Sequence, residues 1–148
     1  MKILIATDGS KHGDAAVDTG TRRPWPPDSE FRVLIVMERP AISYVSGGEY
    51  EFDLSYNQIA ADLRKSLEEI VDQAAEKLQK AGFTTTRAVR EGVVAEEIIN
   101  EAQEWDADLI LIGTHGRSGI SRFLLGSVAQ RVASHAPCSV EIVRKSSE

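Results

Sequence analysis

The stretch Gly113 to Val128, GTHGRSGISRFLLGSV, holds the residues of this chain best suited to capturing an anion. Gly113 and Gly116 flank two residues, Gly119 follows, and nine residues separate Gly116 from the pair Gly126-Ser127. Glycines adopt positive φ and let a ligand approach backbone amides closely. Gly126, Ser127 and Val128 are expected at a helix start, where unpaired N–H groups and the positive end of the dipole favour a phosphate. At Gly126 the backbone would meet the phosphate with no Cβ between, in a loop that faces solvent, so a side chain there should cost affinity and little packing. The plainer alternative is that these glycines only turn the chain; the spacing, the serine and the apolar run LILI before them favour the cradle. The Ser127 hydroxyl adds a donor, and Asp8, at the end of the first apolar run, adds an acceptor, a combination that suits a nucleotide. Asp-Gly is equally a turn former, so both readings of Asp8 stand. Arg117 and Arg122 lie in the same loop, placed either to reach phosphate or to stay solvated.

Groups that would carry catalysis are harder to find. The chain has no Walker A lysine and no paired carboxylates with an obvious role. His12 and His115 are near the proposed cleft in sequence and could act as bases, but they read as polar histidines on the surface. Cys138 is the only cysteine, which excludes an internal disulfide and a multi-cysteine metal site. It reads as a small apolar strand residue.

The 148 residues match one ordinary domain, taken as 1–148, and suffice for a real core. With 27% charged and 42% hydrophobic residues the composition is globular, and no apolar run nears the roughly 20 residues of a membrane span. The formal charge of −6 argues against broad contact with nucleic acid, so an anion must be captured locally. MKILIATDGS lacks the basic leader and cleavage pattern of a signal peptide; it reads as a buried strand, and a cytoplasmic address is the default.

Several elements must position these residues. Lys2 to Thr7 is a continuous apolar run suited to a strand covered on both faces. Ser10 can cap a helix through about Ala16 to Thr21, which Gly13 and Gly20 weaken. Arg22 to Ser29 carries three prolines and must be a loop, and Phe31 to Met37 is a second buried strand. Over 41–56 periodicity is lost, which predicts a flexible surface excursion. Asn57 to Ala81 is the clearest helix, with Leu63, Leu67, Val71, Ala74 and Leu78 on one face and Gly82 as its stop. Phe83 to Val89 is expected as a strand near the sheet's edge. Val93 to Trp105 is a helix with Trp105 in the core, Leu109 to Ile112 a buried strand, Gly126 to about His135 the last helix, Cys138 to Val143 the last strand, and 144–148 a loose tail. This alternation predicts an α/β, Rossmann-like domain with a mostly parallel sheet and helices on both faces.

GTHG, nine residues and GS, with LILI before them and the opening ILIATDGS, resemble the nucleotide-binding signature of the universal stress protein family. The resemblance runs over the whole chain. It implies an open parallel five-stranded sheet of order 3-2-1-4-5, with ligands bound at the switch point between the first and fourth strands. It implies ATP, or ADP or AMP, as the bound molecule together with Mg²⁺. By resemblance Asp8 lies near the ribose and any Mg²⁺, the Val36 backbone meets the adenine edge, Gly113 forms the ribose-side turn, and Ala6 and Thr7 line the wall. Gly116, Arg117, Gly126, Ser127 and Val128 complete the expected binding set. A homodimer through the final strand is also implied, although Glu141 departs from the more apolar strand usual in the family and could face its own copy. The implied function is a nucleotide-dependent sensor or adaptor in stress response. Two alternatives remain, a slow ATPase or phosphotransferase and a dimeric interaction module whose pocket takes no nucleotide; the intact glycine signature counts against the second.

Overall fold

Runs that are apolar at every position end up in the middle of the sheet. The computed structural model describes residues 1–38, 49–116 and 125–144. Its elements follow as β1 (Lys2–Ala6), α1 (Lys11–Arg22), β2 (Glu30–Met37), α2 (Glu49–Lys80), β3 (Thr84–Glu91), α3 (Val94–Glu104), β4 (Leu109–Gly113), α4 (Ser127–His135) and β5 (Ser139–Val143). Among the described residues these strands form a parallel sheet of five in the order β3-β2-β1-β4-β5, as the resemblance implies. β1 and β4 are central, and a strand covered on both faces needs apolar side chains in both directions. Successive residues therefore feed separate cores. Ile3, Ile5, Phe31 and Val33 pack with Val17, Val71 and Leu78 beneath α1 and α2, whereas Leu4, Ala6, Leu34 and Ile110 pack with Ile98, Ala102 and Val132 beneath α3 and α4.

Helix ends follow local chemistry. Ser10 caps α1, its hydroxyl accepting from Gly13 N at 3.3 Å. At the end of α2, Gly82 takes φ +95° while Phe83 N donates to Leu78 O and Gly82 N to Gln79 O, the two bonds of a Schellman motif. α3 ends with the same pair of bonds, but Asp106 occupies the left-handed position at φ 57°. An aspartate tolerates that conformation better than most side chains do.

The structure corrects several sequence expectations. Residues 49–56 are the first turns of α2 rather than part of an excursion; 41–48 lie outside the described residues, as does the tail over 145–148. A helix already nucleated adds one hydrogen bond per residue, so it can run beyond the stretch whose apolar periodicity announces it. α1 runs through both of its glycines. At Gly20 a Cβ would come within 2.9 Å of Ile5 Cδ1 and 3.0 Å of Leu78 Cδ2, so the residue that weakens the isolated helix is the one that lets it lie close to the sheet. Trp105 is only half-buried, with the Arg32 guanidinium 4.6 Å above its ring centroid.

α3 carries a polar clamp that hydrophobic periodicity does not reveal. Glu101, 6% exposed, accepts from Arg32 Nη1 of β2 at 2.7 Å and from Arg90 Nη1 of β3 at 2.6 Å. Arg90 also donates to Glu97 and Glu104, tying two strands to one helix. Glu101→Gln leaves two arginines facing a neutral amide, which should lower unfolding free energy by about 2 kcal/mol, since charged hydrogen bonds contribute about 1.5–3 kcal/mol. A urea midpoint equal to the parent's would show the clamp to be idle. The hydrogen bond from Arg90 holds the Glu104 carboxyl below the usual carboxylate range. Its contribution to stability is therefore complete above that range and is lost as pH falls through it toward the lowered value. Arg90→Met should flatten this acid limb in urea titrations at stepped pH.

Candidate functional site

A cleft of about 700 Å³ opens at the carboxyl ends of the strands, within the range of small-molecule sites. Strand order creates it. β1 lies between β2 and β4, the two connections leave toward opposite faces, and a crevice remains where they part. Ala6, Thr7 and Asp8 reach it from the end of β1, Val36 from β2, Gly113 and Gly116 from the end of β4, and Gly126, Ser127 and Val128 from the start of α4. Arg117 lies outside the described residues, as do Gly119 and Arg122.

Two glycines are required here by closeness of backbone. A Cβ on Gly113 would sit 2.5 Å from His12 O, so α1 can start against the end of β4 only if residue 113 has no side chain. At Gly126 the backbone angles, φ −63° and ψ 151°, suit any residue, but a Cβ would lie 2.9 Å from Thr114 O and 3.3 Å from His115 Cα. This corrects the expectation that Gly126 faces open space: its neighbour is its own chain. Its amide is also committed, donating to Thr114 O at 2.8 Å. The amides of Ser127 and Val128 remain the ones that a helix start leaves without intrahelical partners, and no side chain caps this end.

Asp8 builds the turn. Its Oδ1 accepts from Ser10 N at 2.9 Å, while Oδ2 lies 3.1 Å from the place a Cβ would take on Gly116. One carboxylate thus shapes the β1–α1 turn and stands beside the glycine loop. His115 is not the surface residue expected: it is half-buried among the residues that line the cleft, and its Nε2 is buried with no hydrogen-bond partner among the described residues. The His12 ring lies 5.3 Å from it, and His12 Nδ1 is 3.4 Å from the hydroxyl of Thr114, which is 5% exposed. Periodicity marked Leu63 and Leu67 for the inner face of α2, and it could not show that they, with Val94 and Ile98 of α3, also form the cleft's apolar wall. Burial, with the charge of Asp108 adding, pushes the Cys138 thiol up, away from a reactive thiolate.

The sequence profile of the Universal stress protein family matches residues 1–144. The universal stress protein MJ0531 of Methanocaldococcus jannaschii is 32% identical over 145 residues, 97% of this chain and 82% of that one. Among solved structures, hypothetical protein MJ0577 shares the fold with a TM-score of 0.85 at 23% identity, covering 99% of this chain and 97% of that one. A universal stress protein in complex with cAMP shares it with a TM-score of 0.65 at 19% identity, over 99% and 98% of the two chains. A family protein of Arabidopsis thaliana with AMP bound does so with a TM-score of 0.65 at 15% identity, over 99% and 93%.

Because a side chain at position 126 meets the Thr114 carbonyl, Gly126→Ala should lower unfolding free energy by about 1–3 kcal/mol, and Gly126→Val by more. Ser127→Ala, at an exposed position, should stay within about 0.5 kcal/mol of the parent. Urea titration of the variants decides it; a Gly126→Ala protein as stable as the parent would mean that the Thr114 turn yields freely.

Proposed function

The chain belongs to the universal stress protein family, and on that premise we propose that it binds an adenine nucleotide in this cleft and acts as a nucleotide-dependent sensor or adaptor in stress response. The observation that carries the reading is the convergence of both ends of the glycine signature with Asp8 and Val36 around one cleft. Relatives of the same fold with cAMP and AMP bound support an adenine nucleotide as the occupant. In this reading the base lies between Leu67, Val94 and Ile98, with its edge against the Val36 backbone, and the ribose lies by Gly113 and Asp8 along the wall of Ala6 and Thr7. The phosphates meet the amides of Gly116, Ser127 and Val128 and the Ser127 hydroxyl, with Arg117 as a further cation. The residues present fit such a group, since the amides of Ser127 and Val128 point out of a helix start and Gly116 places no side chain beside Asp8.

We propose ATP with Mg²⁺ as the ligand. Among the described residues no cluster of three or more His, Cys, Asp or Glu could hold a metal ion, so Mg²⁺ would enter with the nucleotide, and Asp8 is the residue that would help to hold it. When bound, the ion offsets phosphate charge. The protein's own part is to orient the chain of phosphates along α4 and to keep the base out of water.

A homodimer through β5 completes the proposal. β5 pairs with β4 along one edge, and Val140 and Ile142 are only half-buried. The Glu141 carboxylate, which the sequence left facing its own copy, is held by Nη1 and Nη2 of Arg23 at the end of α1. That pairing offsets the like-charge repulsion.

Calorimetry with Mg-ATP, with mass spectrometry of ligand released from the purified protein, tests the reading. Binding is expected, with Ser127→Ala weaker by about tenfold or less, the effect of one hydrogen bond. No heat with ATP, ADP or AMP sinks it, and phosphate release faster than about 1 per second would promote the enzyme instead. Light scattering should give a dimer at micromolar concentration, and Val140→Arg a monomer; a parent protein that stays monomeric with and without nucleotide removes the dimer.

A further inference from the structure

His115 stands apart from the other cleft residues. It follows the buried Thr114 on a segment bounded by Gly113 and Gly116, its Cα is packed against the place of a Cβ on Gly126, and its ring meets that of His12 on the first turn of α1. The imidazole is thus held between the first turn of α1 and the start of α4. A buried ring nitrogen without a partner costs free energy that an apolar side chain of similar shape would not. Among the described residues His115 alone carries such a side-chain atom, and the residue already lines the cleft. The start of α4 directs positive potential there while the Asp8 carboxylate stands beside Gly116, so an oxygen anion is suited to the α4 side of the ring.

We propose that His115 reads the phosphoryl groups of the nucleotide: a rotation of its ring within the cleft wall lets Nε2 hydrogen-bond a phosphate oxygen, and His12, with Thr114, is the positioning residue that keeps the ring against the cleft. The proposal rests on the nucleotide reading above. It assigns the cleft a penalty without phosphate and a contact with it, so occupancy of the phosphate end is coupled to the arrangement of the segment 113–116. Adenosine does not gain this contact. AMP and longer nucleotides do.

The test combines opposite signs. His115→Leu removes the orphan nitrogen, so the nucleotide-free variant should melt no lower than the parent, yet bind Mg-ATP about tenfold or more weakly, with adenosine affinity unchanged. His115→Gln, whose amide reaches the position of Nε2, should recover most of the Mg-ATP affinity and remains informative if the leucine variant folds poorly. In the parent protein, the ¹⁵N resonance of His115 Nε2 should shift on adding AMP or Mg-ATP and stay in place with adenosine. Mg-ATP affinity of His115→Leu within twofold of the parent, equal losses for adenosine and Mg-ATP, or an Nε2 resonance indifferent to phosphate would each overturn the proposal. Failure of the parent itself to bind any adenine nucleotide would instead remove the reading on which it rests, and this inference with it.

Discussion

Everything at the candidate site depends on how closely the backbones pass at the carboxyl ends of β1 and β4. Gly113 lies under the His12 carbonyl, and Gly126 lies against the Thr114 carbonyl and hydrogen-bonds to it. A single Cβ at either place would push α1 or α4 away from the sheet. Since the unpaired amides of a helix start act only over its first turn, a shift of this kind would take them off the cleft. The glycine signature is thus a packing constraint first. The position of Ser127 and Val128 at the cleft follows from that packing.

The rest of the fold is arranged so that this junction need not carry the structure. Two apolar layers, one under α1 and α2 and one under α3 and α4, hold the sheet from both sides. The Glu101 clamp fixes α3 to β2 and β3, and α3 in turn brings Val94 and Ile98 to the apolar wall. At the junction, by contrast, α4 starts without a side-chain cap and His115 keeps a buried nitrogen unsatisfied. Among the described residues the unpaired buried nitrogen is found only here, and a broken local rule of this kind is expected at functional sites.

Much of the architecture was legible because it is written in short-range patterns. KILIA and LILIG are apolar at nearly every position and could only be strands covered on both faces. Gly82 after a long amphipathic run marks a helix end that is in fact a Schellman motif. The family resemblance added the strand order, which no periodicity contains. Where periodicity failed, the reason is physical: the first turns of α2 only extend a helix that its later, periodic turns establish, and Glu101 is inward-facing but charged, so an apolar stripe passes over it.

The sequence by itself determined most element types, the α/β class and the glycine-rich stretch whose two ends reach the cleft, because turn, cap and amphipathic signals act over a few residues. Only the tertiary structure decided what those residues do to one another. Thr114 and His12 are 102 positions apart, and nothing local announces that they meet or that His115 shares their cluster. The role of Gly126 was likewise hidden: its dihedrals are ordinary, and the need for glycine comes from a carbonyl that the fold brings within 2.9 Å. Such contacts are set by parallel pairing of β1 with β4, a long-range event whose consequences at any one residue depend on a neighbour the local sequence does not contain.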